Sequence, residues 1–129
     1  MPKMSSASAD KVQDYGPVED RSGEVDGYTV NFVTFREAQD ITQILASLSE
    51  GKCMCPHWGY VFKGKIAVGY DDGTEDVVGS GEAFYAPPGH TSWKADAGTE
   101  LLQISPSKEL AEVDAAIEEV MKAMQGGPA

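Results

Sequence analysis

Thiol and imidazole groups, which suit soft metal ions and proton transfer, are confined to two short segments of this 129-residue chain. Residues 53–57 read Cys-Met-Cys-Pro-His and contain both cysteines, whereas residues 87–93 read Pro-Pro-Gly-His-Thr-Ser-Trp. The two histidines of the chain are therefore His57 and His90. Because imidazole titrates near neutral pH, either one could carry a proton in catalysis or bind a metal ion.

Cys53, Cys55 and His57 alternate along the chain, so an extended backbone would direct their side chains to one face. Together with His90 they form a candidate ligand set of thiolates and imidazoles, which favours Zn²⁺ over Fe or Mn. Two alternatives remain: packed thiols and hydrogen-bonded histidines without metal, and a cysteine nucleophile with His57 as its base. All three interpretations fit the spacing.

One carboxylate is a further catalytic candidate. Glu100 shares parity with Leu102 and Ile104, so it points toward His57 or His90 if those apolar residues line the interior. In the other arrangement Leu101 is inside and Glu100 faces solvent.

Aromatic residues cluster around the same two segments. Three of them are candidates for binding a ligand or cofactor, or else for packing in the core: Trp58, Tyr60 and Trp93.

Short strands separated by turns must position these groups. Alternation in Tyr28–Phe35 predicts a half-buried strand, and Asp71-Asp72-Gly73 is a hairpin signal. Within 38–48 the pattern predicts a short helix or turn. Even spacing of strands is typical of a sandwich or small barrel. The further strands are predicted at 58–62, 65–70, 74–78, 82–86, 90–95 and 99–105.

The two ends of the chain differ from this pattern. Residues 1–25 contain few large apolar side chains, which predicts a mobile tail, part of which could dock as an edge strand. Residues 107–126 have apolar residues at spacings of three and four, which predicts an amphipathic helix. Its apolar stripe would pack on the barrel or on a second copy, which would make the protein a homodimer.

The segments Tyr60-Val61-Phe62-Lys63-Gly64 and Gly81 to Pro87-Pro88-Gly89 resemble the two motifs of the cupin family. The resemblance covers about residues 28–105. It implies an all-β fold, a cupin-type antiparallel β-barrel (double-stranded β-helix or jelly roll), here followed by a C-terminal α-helix. The expected domains are a tail at 1–25, a barrel at 26–106 and a helix at 107–126.

Metal-binding cupins use His-x-His, a nearby Glu and a later His. The corresponding positions here are Gly51, Cys53, His57 and Ser92, so none matches by residue type. The resemblance thus implies the fold without the usual iron or manganese site.

The composition limits the classes of partner that the protein could bind. A formal net charge of −11 opposes binding to nucleic acid and to anionic lipid. No apolar run approaches the roughly 20 residues of a membrane span, and the first residues lack the apolar core of a secretion signal. We therefore expect a cytoplasmic protein with reduced cysteines.

These observations predict a small-molecule-binding cupin with a pocket at the barrel mouth that holds His57, His90 and Cys53 and, in one form, Zn²⁺. The alternative is a non-catalytic, metal-free ligand-binding or dimerisation module. The fold hosts both enzymes and inert binding proteins, so the resemblance leaves catalysis open.

Overall fold

The computed structural model describes residues 3–125 of the chain. Over this range, strands and two helices follow one another as β1 Lys11–Asp14, β2 Val18–Val25, β3 Tyr28–Phe35, β4 Gln39–Asp40, α1 Thr42–Ala46, β5 His57–Lys63, β6 Lys65–Tyr70, β7 Glu75–Gly79, β8 Ala83–Ala86, β9 His90–Ala95, β10 Thr99–Pro106 and α2 Ser107–Gln125.

The strands form two antiparallel sheets that pack face to face. The six-stranded sheet has the order β1-β2-β3-β10-β5-β8, and the four-stranded sheet has the order β4-β9-β6-β7. Since side chains alternate along a strand, each sheet sends every second residue into the space between them. Val61, Leu101, Ile66 and Val68 fill that space. The structure thus agrees with the predicted antiparallel β fold.

The chain crosses from one sheet to the other at Gly64, the single residue between β5 and β6. Its φ angle is +80°, a conformation that other residues adopt only with strain. A side chain there would also meet Thr99, whose Cα would lie 2.7 Å from the added Cβ. The glycine therefore allows a one-residue connection between β5, in the six-stranded sheet, and β6, in the four-stranded sheet.

The predicted tail at 1–25 is wrong for residues 11–25. Lys11–Asp14 is the edge strand β1, and Val18–Val25 pairs along its full length with β3. Backbone hydrogen bonding to a neighbouring strand compensates for the missing apolar side chains. The barrel therefore begins near residue 11, not 26, and the weaker expectation of an edge strand in this segment is the one that the structure supports.

The stretch 38–48 contains both β4 and the short helix α1. Asp40 Oδ1 accepts a hydrogen bond of 2.9 Å from the backbone N–H of Thr42, which organises the first turn. The helix ends after five residues, and its Leu45 is buried in the core.

Helix α2 packs on the sheets of its own chain. Leu110 is buried, and Val113, Ile117 and Val120 pack against the core. Met121 and Met124, near the end of the helix, are exposed. The predicted end of the helix at residue 126 lies outside the described residues. Neither helix in the described range is long and apolar enough to cross a membrane.

Candidate metal centre

Cys53 and His90 are brought together by their backbones. The two residues form an isolated antiparallel bridge, in which Cys53 N–H donates to His90 O at 3.0 Å. Gly89 N–H donates in turn to Cys53 O at 2.7 Å. This pairing connects the loop before β5 to the start of β9, and it places the thiol of Cys53 beside the imidazole of His90.

His57 approaches the same point from the other sheet. It is the first residue of β5, and its side chain is buried between the layers with only 6% exposure. The ring centroids of His57 and His90 are 5.2 Å apart. The expectation that both imidazoles occupy one interior hollow thus agrees with the structure.

Three potential ligand atoms converge here. One atom each from Cys53, His57 and His90 lie within 4.8 Å of one another, and all three residues are buried. Cys53 Sγ is 3.9 Å from His57 Nε2. Tetrahedral Zn²⁺ with bonds of the usual length would place such a pair about 3.5 Å apart, so a small side-chain adjustment suffices.

The second nitrogen of each ring is held by a hydrogen bond. His90 Nδ1 lies 3.2 Å from Pro87 O, and because a carbonyl only accepts, this nitrogen is the N–H donor. His57 Nδ1 lies 2.7 Å from the hydroxyl of Ser105, which can also accept. The Pro87 contact leaves His90 Nε2 with a free lone pair, and the Ser105 contact does the same for His57 Nε2 when the hydroxyl accepts, which is the arrangement that metal-binding histidines use.

Burial keeps both imidazoles neutral. It lowers the pKa of His57 to about 3, with a further contribution from the neighbouring His90. Burial likewise lowers the pKa of His90, against a raising effect of the Pro87 carbonyl. A neutral imidazole is the form that binds metal.

Burial also raises the pKa of the Cys53 thiol, and a backbone hydrogen bond with Cys55 partly offsets this effect. Without metal the thiol is therefore protonated, which opposes a role as a free thiolate nucleophile. A bound metal ion would deprotonate it, because a coordinating thiol binds as the thiolate.

The hollow around the cluster is apolar. The ring of Trp93 is buried, and its centroid lies 5.8 Å from that of His57 and 5.7 Å from that of His90. Trp93 therefore packs against both imidazoles, and its predicted role in binding a ligand or cofactor stays a prediction.

Cys55 is close to His57 but on its other side. Its Sγ lies 4.0 Å from Nδ1, the nitrogen that faces Ser105, and outside the converging set of ligand atoms. Burial, followed by the effect of Cys53, raises its pKa to about 12. Residues 54–56 do not belong to a strand, so the shared parity of Cys53, Cys55 and His57 does not bring the two thiols to the same point.

Three other predicted site residues lie elsewhere. Trp58 and Tyr60 project from the outer face of the six-stranded sheet, with exposures of 43% and 38%. They cannot share a face with His57, because neighbouring residues in a strand point to opposite sides. Glu100 also points outward and forms a salt bridge of 3.2 Å with Lys63, because the buried residue of β10 is Leu101. The inward alternative for Glu100 is thus wrong.

The predicted pocket at the barrel mouth also needs correction, because the cluster is buried in the core rather than open to solvent. A cavity of about 290 Å³ comes near it, with walls that include Phe84 and Ala86. Ala86 is the cross-strand partner of His57, and the Phe84 ring lies 5.9 Å from that of Trp93. One layer of side chains separates this cavity from the imidazoles.

Sequence reasoning missed Ser105. A serine in a strand does not by itself indicate a functional role, but its position in the strand indicates which way its side chain points. Ser105 lies four residues after the buried Leu101, so both point inward. Fixing the register of β10 from Leu101 would have placed the hydroxyl in the interior.

Comparison with known proteins supports the fold. Neither a protein-family model nor a curated protein matches the chain. An RmlC-like cupin from Shewanella frigidimarina NCIMB 400 superposes with a TM-score of 0.53, covering 74% of this chain and 83% of its own, at 18% identity. The chain has a cupin fold.

Two more solved structures are similar. The polyketide cyclase RemF from Streptomyces resistomycificus has a TM-score of 0.57 and 15% identity over 82% of this chain and 79% of its own. A protein of unknown function from Rhizobium leguminosarum has a TM-score of 0.58 and 22% identity over 81% and 95%. At these identities the likeness establishes the cupin fold and leaves the function to the site.

Proposed function

We propose that this cupin-fold protein binds one Zn²⁺ ion through Cys53 Sγ, His57 Nε2 and His90 Nε2, and that the ion holds a small-molecule ligand. The observation that carries the proposal is the convergence of three buried ligand atoms within 4.8 Å of one another. A buried thiol and two imidazoles are costly to desolvate, and a metal ion compensates for that cost.

The donor set selects the metal. Thiolate and imidazole are soft to intermediate ligands, which Zn²⁺ prefers, whereas Mg²⁺, Ca²⁺ and Mn²⁺ prefer oxygen. With three protein ligands, Zn²⁺ keeps a fourth position for water or a ligand. Copper also uses one cysteine and two histidines, so the test below includes the identity of the metal.

The ligand would approach from the cavity of about 290 Å³. Its walls include Val68, Val78 and Phe84, with Tyr70 and Asp76 also present. Glu82 is a second carboxylate in the lining. Such a mixed lining suits a small molecule that has an apolar part and hydrogen-bond donors or a positive charge, and no anionic group. Rotation of Phe84 or Trp93 would connect this cavity to the metal. Both imidazoles bind the metal in this arrangement, so neither is left to carry a proton.

Metal analysis tests the proposal. Protein purified without chelator and then exposed to Zn²⁺ should retain about one equivalent per chain after removal of excess metal. Cys53→Ser should lose the metal, as should the double variant His57→Ala/His90→Ala. Cys55→Ser is the matched control, because its thiol lies outside the converging set and the variant should keep the metal.

The alternative function is a metal-free ligand-binding or dimerisation module. It predicts no retained metal in the natural protein and equal behaviour of Cys53→Ser and Cys55→Ser. Co²⁺ gives an independent readout, because a cobalt–thiolate absorption band should appear in the natural protein and in Cys55→Ser but not in Cys53→Ser. A paramagnetic Cu²⁺ signal in protein as purified would identify copper instead of zinc and overturn that part of the proposal.

A further inference from the structure

A second cavity lies between the strands β1, β2 and β3 and the helix α2. Its volume is about 400 Å³, and all four elements contribute to its walls. Asn31 lies two residues from Val33, the cross-strand partner of the buried Leu101, so Asn31 points to the inner side of the six-stranded sheet. Helix α2 covers this side with Leu110. The cavity shares no residue with the candidate metal centre or with the cavity of about 290 Å³.

One residue in the wall of this cavity has a buried oxygen atom without a partner. Asn31 is 6% exposed, and its Nδ2 donates to both carboxylate oxygens of Asp20, at 3.0 and 3.2 Å. Because a carboxylate only accepts, this contact fixes the orientation of the amide and turns Oδ1 away from Asp20. Within the described part of the chain, Asn31 Oδ1 is the one buried side-chain nitrogen or oxygen without a hydrogen-bond partner. Since buried acceptors are nearly always paired, a molecule that donates a hydrogen bond here would be stabilised.

The charged groups around the cavity favour a cation. Four carboxylates and one ammonium group line it, which gives a net formal charge of −3; they belong to Asp10, Asp20, Glu24, Asp114 and Lys11. Lys11 does not neutralise one particular carboxylate, because none of the salt bridges between residues 3 and 125 includes it. An occupant that carries a positive charge and donates hydrogen bonds would therefore fit both the charge of the cavity and the unpaired oxygen.

The arrangement of the acceptors favours an organic cation over a metal ion. Among the described residues, no three carboxylates of this cavity bring oxygen atoms within 4.8 Å of one another, as they do not form a convergent ligand set. The volume is also larger than one ion requires. Leu110 and Ala111 add an apolar wall on the side of α2, against which methylene groups would pack. An ammonium group has three donors and no acceptor, which suits a site of this kind.

We propose that this cavity binds a small organic cation through a primary ammonium group, which donates hydrogen bonds to Asn31 Oδ1 and to the carboxylates of Asp20 and Asp114. Asp114 lies one helical turn after Leu110, so its carboxylate and the apolar wall share one side of α2. The site is independent of the proposed zinc site, because the two have no residue in common.

The carboxyl groups of the cavity should make binding depend on pH. The side chain of Asp114 reaches solvent, but loss of hydration in the concave wall raises its pKa to about 6; Asp20 raises it further and Lys11 lowers it. Burial also raises the pKa of Asp20. The other charged groups that face the cavity are Asp10 and Glu24. At about pH 5 only about a tenth of Asp114 is ionised, so affinity for an ammonium group should fall about tenfold between about pH 7.5 and about pH 5.

Isothermal titration calorimetry with 1,4-diaminobutane tests the assignment. The natural protein should bind one molecule per chain, whereas 1,4-butanediol, an uncharged molecule of the same length, should not bind. Asp20→Asn and Asp114→Asn should each weaken binding about tenfold or more, because each removes a charged acceptor. Asn31→Leu removes the unpaired oxygen and should also weaken binding. Asp114 is exposed, so Asp114→Asn keeps the test decisive if Asn31→Leu does not fold.

Two control variants separate this site from other ways of binding an amine. Glu119→Gln removes the same charge at an exposed position of α2 outside the cavity, and it should bind the diamine like the natural protein. Cys53→Ser lacks a ligand of the proposed zinc site and should also bind normally, since the diamine does not coordinate the metal. The fall in affinity with pH should be smaller in Asp114→Asn than in the natural protein.

Lys11→Gln should strengthen binding of the diamine severalfold, because the Lys11 ammonium group competes for the same carboxylates. Binding that appears only in this variant would overturn the proposal, since Lys11 would then be the natural occupant. Equal affinity in the natural protein and in Asp20→Asn would also overturn it. So would Ca²⁺ or Mg²⁺ that displaces the diamine and no longer binds to Asp114→Asn, because the site would then be a metal site.

Discussion

The hydrogen bonds of the two Nδ1 atoms determine what the cluster can do, because they decide which nitrogen each ring offers. Pro87 O can only accept, so it fixes His90 as an Nδ1–H donor. For His57 the same task falls to Ser105 Oγ, at 2.7 Å and with no exposure to solvent. Pro87 therefore leaves the lone pair of His90 Nε2 free for a metal ion, and Ser105 does the same for His57 Nε2 when its hydroxyl accepts.

Ser105→Ala should lower the affinity for Zn²⁺ by about 10- to 100-fold, the usual effect of removing the partner of a metal-binding histidine. The ring of His57 would lose its orienting contact but keep its ligand atom. Competition with a chelator of known affinity measures the change. Ser107→Ala is the control, because its hydroxyl bonds Thr29 at 2.8 Å, and it should bind Zn²⁺ like the natural protein. Equal losses in the two variants would contradict the orienting role.

The buried histidines also predict how the metal-free protein responds to acid. The folded pKa of His57, about 3, lies below its unfolded value of 6.5. Below pH 6.5 the unfolded chain thus binds more protons, so the stability present above that pH is lost as the pH falls toward the folded pKa. When the pH falls from about 7 to about 5.5, His57 should reduce the free energy of unfolding by about 1 kcal/mol. His90 acts in the same direction.

Denaturation in urea at several pH values, with metal removed by chelator, measures this loss. His57→Gln keeps a neutral polar side chain and should show a shallower fall in unfolding free energy over the same interval. The carboxylates contribute equally to both proteins, so the difference reports on the imidazole alone. Identical slopes in the two proteins would mean that His57 is not buried in its neutral form.

At the scale of the elements, the site depends on the crossing between the sheets. His57 belongs to the six-stranded sheet and His90 to the four-stranded one, so the two rings can approach each other only if the chain passes between the sheets in the correct place. The chain passes between them at Gly64, and the buried Thr99 packs against this glycine. The Thr99 hydroxyl also accepts a hydrogen bond of 3.1 Å from the N–H of Lys65.

Gly64→Ala should therefore destabilise the protein more than Gly73→Ala does. Both glycines have positive φ angles, +80° and +87°, so both variants carry a backbone strain of roughly 1 to 2 kcal/mol. Only at Gly64 does the new methyl group meet the backbone of Thr99, whereas nothing lies within 4 Å at Gly73. The clash should add about 1 to 3 kcal/mol, measured by urea denaturation. A smaller loss at Gly64 than at Gly73 would contradict the close contact.

Much of the strand pattern could be predicted from the sequence. The bounds of Tyr28–Phe35, Lys65–Tyr70 and His90–Ala95 agree with the structure, because each segment alternates or is bounded by turn residues. Val18–Val25 could not be recognised in this way. Its side chains include Glu19, Asp20 and Arg21, and it is held mainly by pairing with β3, which leaves no hydrophobic period to detect.

The candidate site could be predicted from the sequence only where the alternation of side chains along a strand, or the pairing of neighbouring hairpins, determines which residues meet. His57 and His90 were recognisable as a pair because the family motifs place their hairpins side by side. The errors at Trp58 and Tyr60 came from proximity in sequence, since strand geometry already excludes a common face for His57 and Trp58. Cys55 could not be placed, because the path of the chain through Pro56 depends on the bridge between Cys53 and His90.

At the scale of the whole molecule, the chain is strongly acidic, while four uncharged aromatic residues are exposed on the outer face of the six-stranded sheet, namely Trp58, Tyr60, Phe62 and Tyr85. Self-association through that face must overcome the mutual repulsion of two chains of net charge −11. Repulsion between exposed charges depends on salt, because the Debye length shrinks from about 30 Å at about 0.01 M to about 3 Å at about 1 M. The homodimer expected from the sequence should therefore be sensitive to ionic strength.

Raising the NaCl concentration across that range should tighten the dimer by on the order of tenfold or more, since screening removes repulsion that acts over several ångströms. Sedimentation at a series of salt concentrations measures the dissociation constant. Salt also strengthens apolar contacts, so a second protein is needed to separate the two effects. The triple variant Glu112→Gln/Glu118→Gln/Glu119→Gln, on α2 and away from the exposed aromatic residues of the sheet, changes the net charge from −11 to −8. It should dimerise more tightly at low salt and respond less steeply to NaCl. Equal salt responses in the two proteins would show that repulsion does not limit the association.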